Sequence, residues 1–145
     1  PGLTSAPAIA DYAAELLAAD GLDLTEKDSY IDSREKVHFN RLSAAERKAL
    51  IEKNPAYGRV ICRCETVTEG EILDAIHSPI PPVSVDGIKR RTGAGMGRCQ
   101  GGFCGPRVLE LISKTLGISP LDVLQDKAGT NVLLCETKQE GEHHD

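Results

Sequence analysis

The sequence predicts a mainly α-helical protein, a small helical domain preceded by one helix and an extended linker. Three observations predict it. Apolar residues recur at helical spacing in several segments that carry their own capping residues. Alternating strand patterns are absent apart from the brief runs Arg59–Cys62 and Asn131–Cys135. Aromatics make up 3% of the 145 residues and Trp is missing. A large core is therefore excluded, and Ile, Leu, Val and Ala must build a small one.

The opening "PGLTSAPAIADYAAELLAADGLDL" reads as one amphipathic helix, with Ile9, Tyr12, Ala13, Leu16 and Leu17 on its apolar side. Thr4 or Ser5 is placed to cap its start, and Gly21 to close it. Such a stripe needs something to lie against. Residues 25–40 are polar, without period, and read as a linker laid over a surface, with Tyr30, Ile31, Val37 and Phe39 spaced as anchors. In "SAAERKALIEKN" Ser43 and Glu46 match a capping box. Two further boxes overlap, Thr66 with Glu69 and Thr68 with Glu71, ahead of a helix carrying Ile72, Leu73, Ala75 and Ile76. The prolines of "SPIPP" end that helix. Asp86 is read as the cap of a short helix through Ile88 and Arg91. "GPRVLELISKTLG" is the clearest helix, with Pro106 in its first turn and Gly117 at its end. Ser119 and Pro120 begin one more short helix, and the chain beyond Ala128 is a polar tail.

A net charge of -5 argues against nucleic-acid binding, which usually relies on a basic patch. No window approaches the apolar length of a membrane span. The chain begins at Pro1 with no leader segment, which reads as a piece excised from a longer protein. Five cysteines, an odd count, point to a reducing compartment, hence the cytoplasm.

The cysteines carry the chemistry. Cys62 and Cys64 are separated by one residue, Cys99 and Cys104 by four, with 34 residues between the pairs. "TGAGMGRCQGGFCGP" adds six of the chain's 14 glycines around the second pair. A disulfide set fits poorly with the odd count, and Cys62 cannot readily bridge Cys64. Buried inert thiols do not explain Arg63, Arg98 and the glycines. A phosphate cradle is disfavoured because the spacing is not G-x-G-x-x-G and no P-loop lysine follows. Two short pairs converging from distant sequence are how four-thiolate metal sites are built. Zinc favours C-x2-4-C pairs, whereas a [2Fe-2S] centre carries about two negative charges when oxidised and calls for closely approaching backbone N–H groups. Gly93, Gly95, Gly97, Gly101, Gly102 and Gly105 offer such a nest, and both pairs precede helix N-termini. A cluster is the favoured reading, and a zinc site stays open.

"ICRCETVTEGEILDAI" and "VDGIKRRTGAGMGRCQGGFCGPRVLELI" resemble the bacterioferritin-associated-ferredoxin-like (BFD-like) [2Fe-2S] domain. They are similar in particular to the version at the C-terminus of FAD-dependent oxidoreductases like anaerobic glycerol-3-phosphate dehydrogenase. The stand-alone ferredoxin spaces its second pair C-x2-C, whereas here four residues intervene, as in the oxidoreductase-fused branch. The resemblance implies a small fold of helix–turn–helix pairs around a [2Fe-2S] cluster held by Cys62, Cys64, Cys99 and Cys104, and an electron-transfer role between reduced flavin and an acceptor or sibling subunit. It also implies that "PGLTSAPAIADYAAELL" is the closing helix of a flavin domain, with Gly2, Leu3 and Thr4 near FAD in the intact parent. The organisation expected is a truncated flavin-domain helix over 1–24, a linker with one helix over 25–58, the BFD-like domain over 59–128 and a tail over 129–145. The dinucleotide fingerprint is absent, so this chain itself is expected not to hold FAD and, lacking an acid–base or nucleophilic constellation, to catalyse nothing alone. The alternative is a structural four-cysteine zinc or cluster site that forms a docking domain without a redox role. Cys135 reads as a spare thiol, and His143 and His144 as solvated tail residues. Arg63 and Arg98 either tune the centre by their charge or are simply exposed.

Overall fold

The computed structural model describes residues 2–30, 33 and 36–137, so Ile31, His143 and His144 lie outside the described residues. The chain divides into two units, 1–35 and 36–145. In the first, helix α1 runs over Gly2–Ala19, and Gly21, with φ +92°, turns the chain after it. The helix starts before Thr4 and Ser5, so neither caps it, contrary to the sequence reading. Pro7 sits inside α1 and removes one helical donor. No residue of α1 is buried, and Ile9, Tyr12, Leu16 and Leu17 keep their stripe exposed.

The second unit begins on the linker. Of its expected anchors, Phe39 is buried in a 3-10 turn over Phe39–Arg41, Val37 is half-buried, and Tyr30 is exposed. Arg47 stacks its guanidinium 5.2 Å from the centre of the Phe39 ring and donates to the Phe39 carbonyl at 3.1 Å. That arginine lies on helix α2, Ala44–Lys53, which starts on the expected Ser43–Glu46 capping box. A second 3-10 turn, Pro55–Gly58, buries Tyr57. The Tyr57 ring lies against Gly70, where a Cβ would stand 2.6 Å from it.

Strands β1, Val60–Cys62, and β2, Val67–Thr68, pair antiparallel as Val60↔Thr68 and Cys62↔Val67, with an irregularity between. Of the two overlapping capping boxes only Thr68–Glu71 forms, opening helix α3 over Glu69–Ile76. Thr66 has φ +53° in the turn before β2 and caps nothing. Helix α4, Val85–Thr92, is capped by Ser84, not Asp86. The Asp86 amide is instead taken by the Gln125 carbonyl at 2.8 Å. Helix α5 spans Gly105–Leu116 and ends at Gly117, and Ser119 caps a last 3-10 turn over Pro120–Asp122. The expected run Asn131–Cys135 supplies only an isolated bridge, Asn131 to Leu124.

Ile72 and Ile76 of α3, Ile88 of α4, and Val108 and Ile112 of α5 are all buried and meet in one core with Val67, Ala94 and Val123. Each short helix buries residues four apart or a single large one, which suits a core of few aliphatic side chains. Cys62 and Cys104 belong to this core, so the metal-type residues are anchored in the best-packed part of the domain.

Candidate metal centre

Cys62 ends β1 and is 1% exposed, whereas Cys64, in the turn to β2, faces solvent. Two residues on, Thr66 takes a left-handed backbone that a β-branched residue seldom adopts. The Asn40 side-chain amide donates to the Glu65 carbonyl at 3.3 Å, tying the linker to this turn. Cys99 and Cys104 lie on the loop between α4 and α5. There Gln100 at φ +48° and Gly101 at φ +86° reverse the chain, and Cys104 stands immediately before α5, 1% exposed. Backbone strain of this type, on both cysteine loops, is characteristic of binding sites.

The loops approach as closely as backbone permits. A Cβ on Gly97 would stand 2.1 Å from Cys64 Cβ and 3.2 Å from Cys64 Sγ. This close approach brings Cys64 Sγ to 3.6 Å from Cys99 Sγ. A disulfide would need about 2.05 Å. Two sulfurs on one tetrahedral metal stand about 3.8 Å apart, given bonds of about 2.3 Å. The Cys104 thiol lies close enough to Cys62 and Cys99 to feel both, so the second thiol pair lies beside the first. Among the described residues no three His, Cys, Asp or Glu side chains close around a single point. The thiols come as two adjacent twos.

Their electrostatics differ. The Phe103 backbone N–H, the Cys64 thiol and the Gly101 N–H, with a smaller contribution from its own N–H, hold the Cys99 thiol below its ordinary range. The nest expected from six glycines is thus the stretch Cys99–Phe103. Gly93 caps α4, and Gly105, inside α5, meets nothing within 4 Å. Burial, followed by the charge of Cys62, pushes the Cys104 thiol up to about 11. The expected helix-dipole stabilisation of Cys104 is outweighed, because a thiolate removed from water costs more than one helix end returns. A cation at the site would reverse this, since thiolates are its ligands. Four thiols, backbone N–H groups aimed at sulfur and a glycine cradle fit an anionic iron–sulfur group.

Arg63 and Arg98 are both exposed, and Cys135 is exposed outside the site. Gly2, Leu3 and Thr4 occupy the first turn of α1, with Leu3 96% exposed. Sequence reasoning missed Phe103, whose N–H reaches the Cys99 sulfur while its side chain stands 77% exposed. Its signal was present, a lone large apolar residue among glycines that no element could bury. Glu71, read in the sequence only as half of a capping box, also accepts from Phe39 N at 3.1 Å and so joins the linker to the start of α3.

Residues 60–114 match the family described as the BFD-like [2Fe-2S] binding domain. A glycerol 3-phosphate dehydrogenase of Caloramator mitchellensis is 43% identical over 141 residues, which cover 97% of this chain and 29% of that protein. Hydrogen cyanide synthase subunit HcnB of Pseudomonas aeruginosa is 39% identical over 82 residues, 49% of this chain and 17% of that one. A subunit of the anaerobic glycerol-3-phosphate dehydrogenase of Escherichia coli is 33% identical over 66 residues, 46% and 12% respectively. The chain therefore spans less than a third of the length of these relatives. No solved structure matches it significantly. No described helix is long and apolar enough to cross a membrane. Both cysteine pairs and helices α3 and α4 lie inside the matched stretch and α5 overlaps it, so the similarity to the BFD-like [2Fe-2S] binding domain is to residues 60–114, and it supports an iron–sulfur electron-transfer role for that stretch.

Proposed function

We propose that Cys62, Cys64, Cys99 and Cys104 hold a [2Fe-2S] cluster, and that the chain is the electron-transfer module of an FAD-dependent dehydrogenase acting on glycerol 3-phosphate or a similar substrate. The observation that carries this reading is the pairing of thiols, Cys64 with Cys99 at 3.6 Å and Cys62 with Cys104. A two-iron centre distributes its four thiolates over two metals, whereas one zinc needs all four around one point. The match to a glycerol 3-phosphate dehydrogenase over 97% of this chain supports the parent assignment.

When bound, the cluster supplies one-electron chemistry. The chain's own residues hold four sulfurs, keep Cys62 and Cys104 from water, and direct the N–H groups of Gly101 and Phe103 at Cys99. In the intact parent the exposed stripe of α1 packs on the flavin domain of the same polypeptide, with Gly2, Leu3 and Thr4 beside FAD. The domain then relays electrons from reduced flavin to an acceptor or sibling subunit. The test is to purify the chain anaerobically, measure iron, sulfide and zinc, and record visible and EPR spectra before and after dithionite. Two irons per chain with a reduced-state signal is the expected result. Stoichiometric zinc from aerobic and anaerobic preparations alike would favour a docking domain without redox chemistry and overturn the proposal.

A further inference from the structure

Beside the Cys104 loop lies a groove of about 700 Å³, formed between β1 and α5. Its charged side chains are Arg59, Arg63, Arg107 and Lys114 against Glu69 and Glu110. Glu69 takes Arg59 at 2.8 Å, and Glu110 takes both Arg107 at 3.1 Å and Lys114 at 2.6 Å. Arg63 has no ion-pair partner among the described residues. The groove is therefore locally positive on a chain of net charge -5. Concentrated charge of one sign in a cleft steers partners of the other sign, whatever the net charge.

Phe103 also lines the groove, 77% exposed, while its backbone N–H reaches the Cys99 sulfur. One residue thus presents an apolar side chain outward and touches the metal-type thiols inward. Aromatic residues and arginine are the types enriched where proteins dock. A small free anion would call for cations converging on one point. Here carboxylates are interleaved with the cations, which suits a broader surface with spaced acidic groups and an apolar spot.

We infer that this groove is the docking surface for an acidic protein electron carrier, with Phe103 as the apolar anchor and Arg63, Arg107 and Lys114 as the charges around it. The inference rests on the cluster reading above and names the partner of that same site.

The test uses the full chain and two forms of one acceptor, basic native cytochrome c and its acidic, succinylated derivative. Binding is first measured by calorimetry with every component oxidised, so no electron moves. The chain is then reduced and mixed with each acceptor, one electron passing to each ferric haem as it becomes ferrous. The expected result is that the acidic form binds and is reduced about tenfold faster at low salt, and that added salt removes the preference. Arg107→Glu with Lys114→Glu, and separately Phe103→Ala, lower the acidic-to-basic rate ratio and weaken binding of the acidic form. Arg107, Lys114 and Phe103 lie at the surface, so these variants keep the fold, with circular dichroism as the check. Equal or preferred binding of the basic form, or variants without effect on the ratio, would overturn the inference. Calorimetry reads the groove whether or not iron is taken up, so failure of the docking surface and failure of the cluster reading are told apart.

Discussion

Gly97→Ala is the sharpest test of the cradle. The residue is buried and its φ is not left-handed, so the substitution acts through space alone. The new methyl would stand 2.1 Å from Cys64 Cβ and 3.0 Å from Glu65 Oε1. Two carbons need more than an ångström beyond that to reach ordinary contact. Neither loop can yield that much cheaply. Cys64 lies two residues beyond Cys62, which is fixed in the core, and the Glu65 carbonyl is held by Asn40. Overpacking of this type costs about 1–3 kcal/mol, and a binding constellation tolerates displacements of only about 0.5 Å. The variant should fold with a lowered urea midpoint and take up well under half the iron and sulfide of the parent chain on anaerobic reconstitution. A second measurement needs no metal: mild oxidation of the metal-free chain should form the Cys64–Cys99 disulfide more slowly in the variant. Gly105→Ala is the control, because a Cβ there meets nothing within 4 Å. It should match or exceed the parent in stability, since alanine is the better helix former. A Gly97→Ala protein with full iron, an unchanged visible spectrum and unchanged disulfide formation would refute the close approach.

Three further outcomes follow from particular contacts. Serine at Cys62, Cys64, Cys99 or Cys104 should abolish two-iron stoichiometry in metal analysis, while Cys135→Ser, at an exposed position, keeps it. Tyr57 is buried and donates to the Asp74 carboxylate; burial, then that bond and charge, hold its ionisation above the usual value of 10.0. Because the folded value is the raised one, this contribution is fully present below about pH 10 and is lost as pH rises beyond it. Urea unfolding across pH 8 to 11 should therefore fall more steeply for the parent than for Tyr57→Phe, which itself loses about 1 kcal/mol at neutral pH. Glu71→Ala removes the acceptor of Thr68 N at 2.8 Å, Thr68 Oγ1 at 2.9 Å and Phe39 N at 3.1 Å. It should cost about 1–3 kcal/mol in urea unfolding and speed hydrogen exchange at the Phe39 amide, which a simple loss of helix cap would leave protected.

Much of the helical layout was legible because the signals are local. The Ser43–Glu46 box, Pro106 in the first turn of α5, and Gly117 with φ +66° at its end act within one turn of their own helix. The misreadings occur where a distant partner decides. Thr66 and Thr68 offer equal boxes by sequence, but Thr68 is held extended by its pairing with Val60, and the chain reverses at Thr66. Asp86 looks like a cap, yet the carbonyls of Leu124 and Gln125 take the amides of Val85 and Asp86 and set the helix start at Ser84. The anchors of the linker were only partly legible, since Phe39 is buried and Tyr30 is not, and nothing in their local sequence distinguishes them.

By itself the sequence determined which groups are available to bind: four cysteines in two short pairs, a glycine-rich loop and helices beginning after each pair, all properties of residue type and spacing. Tertiary structure decided which thiols meet and in what state. It placed Cys64 against Cys99 through the bare backbone of Gly97, and buried Cys62 with Cys104 in the core. It also set Cys104 above its ordinary range by burial, where the helix end alone would have lowered it. The groove in front of Phe103 was likewise invisible in sequence, because Arg59 and Arg63 reach Arg107 and Lys114 only when β1 lies beside α5. Spacing sets which groups can bind a metal; burial and long-range contact set how those groups behave.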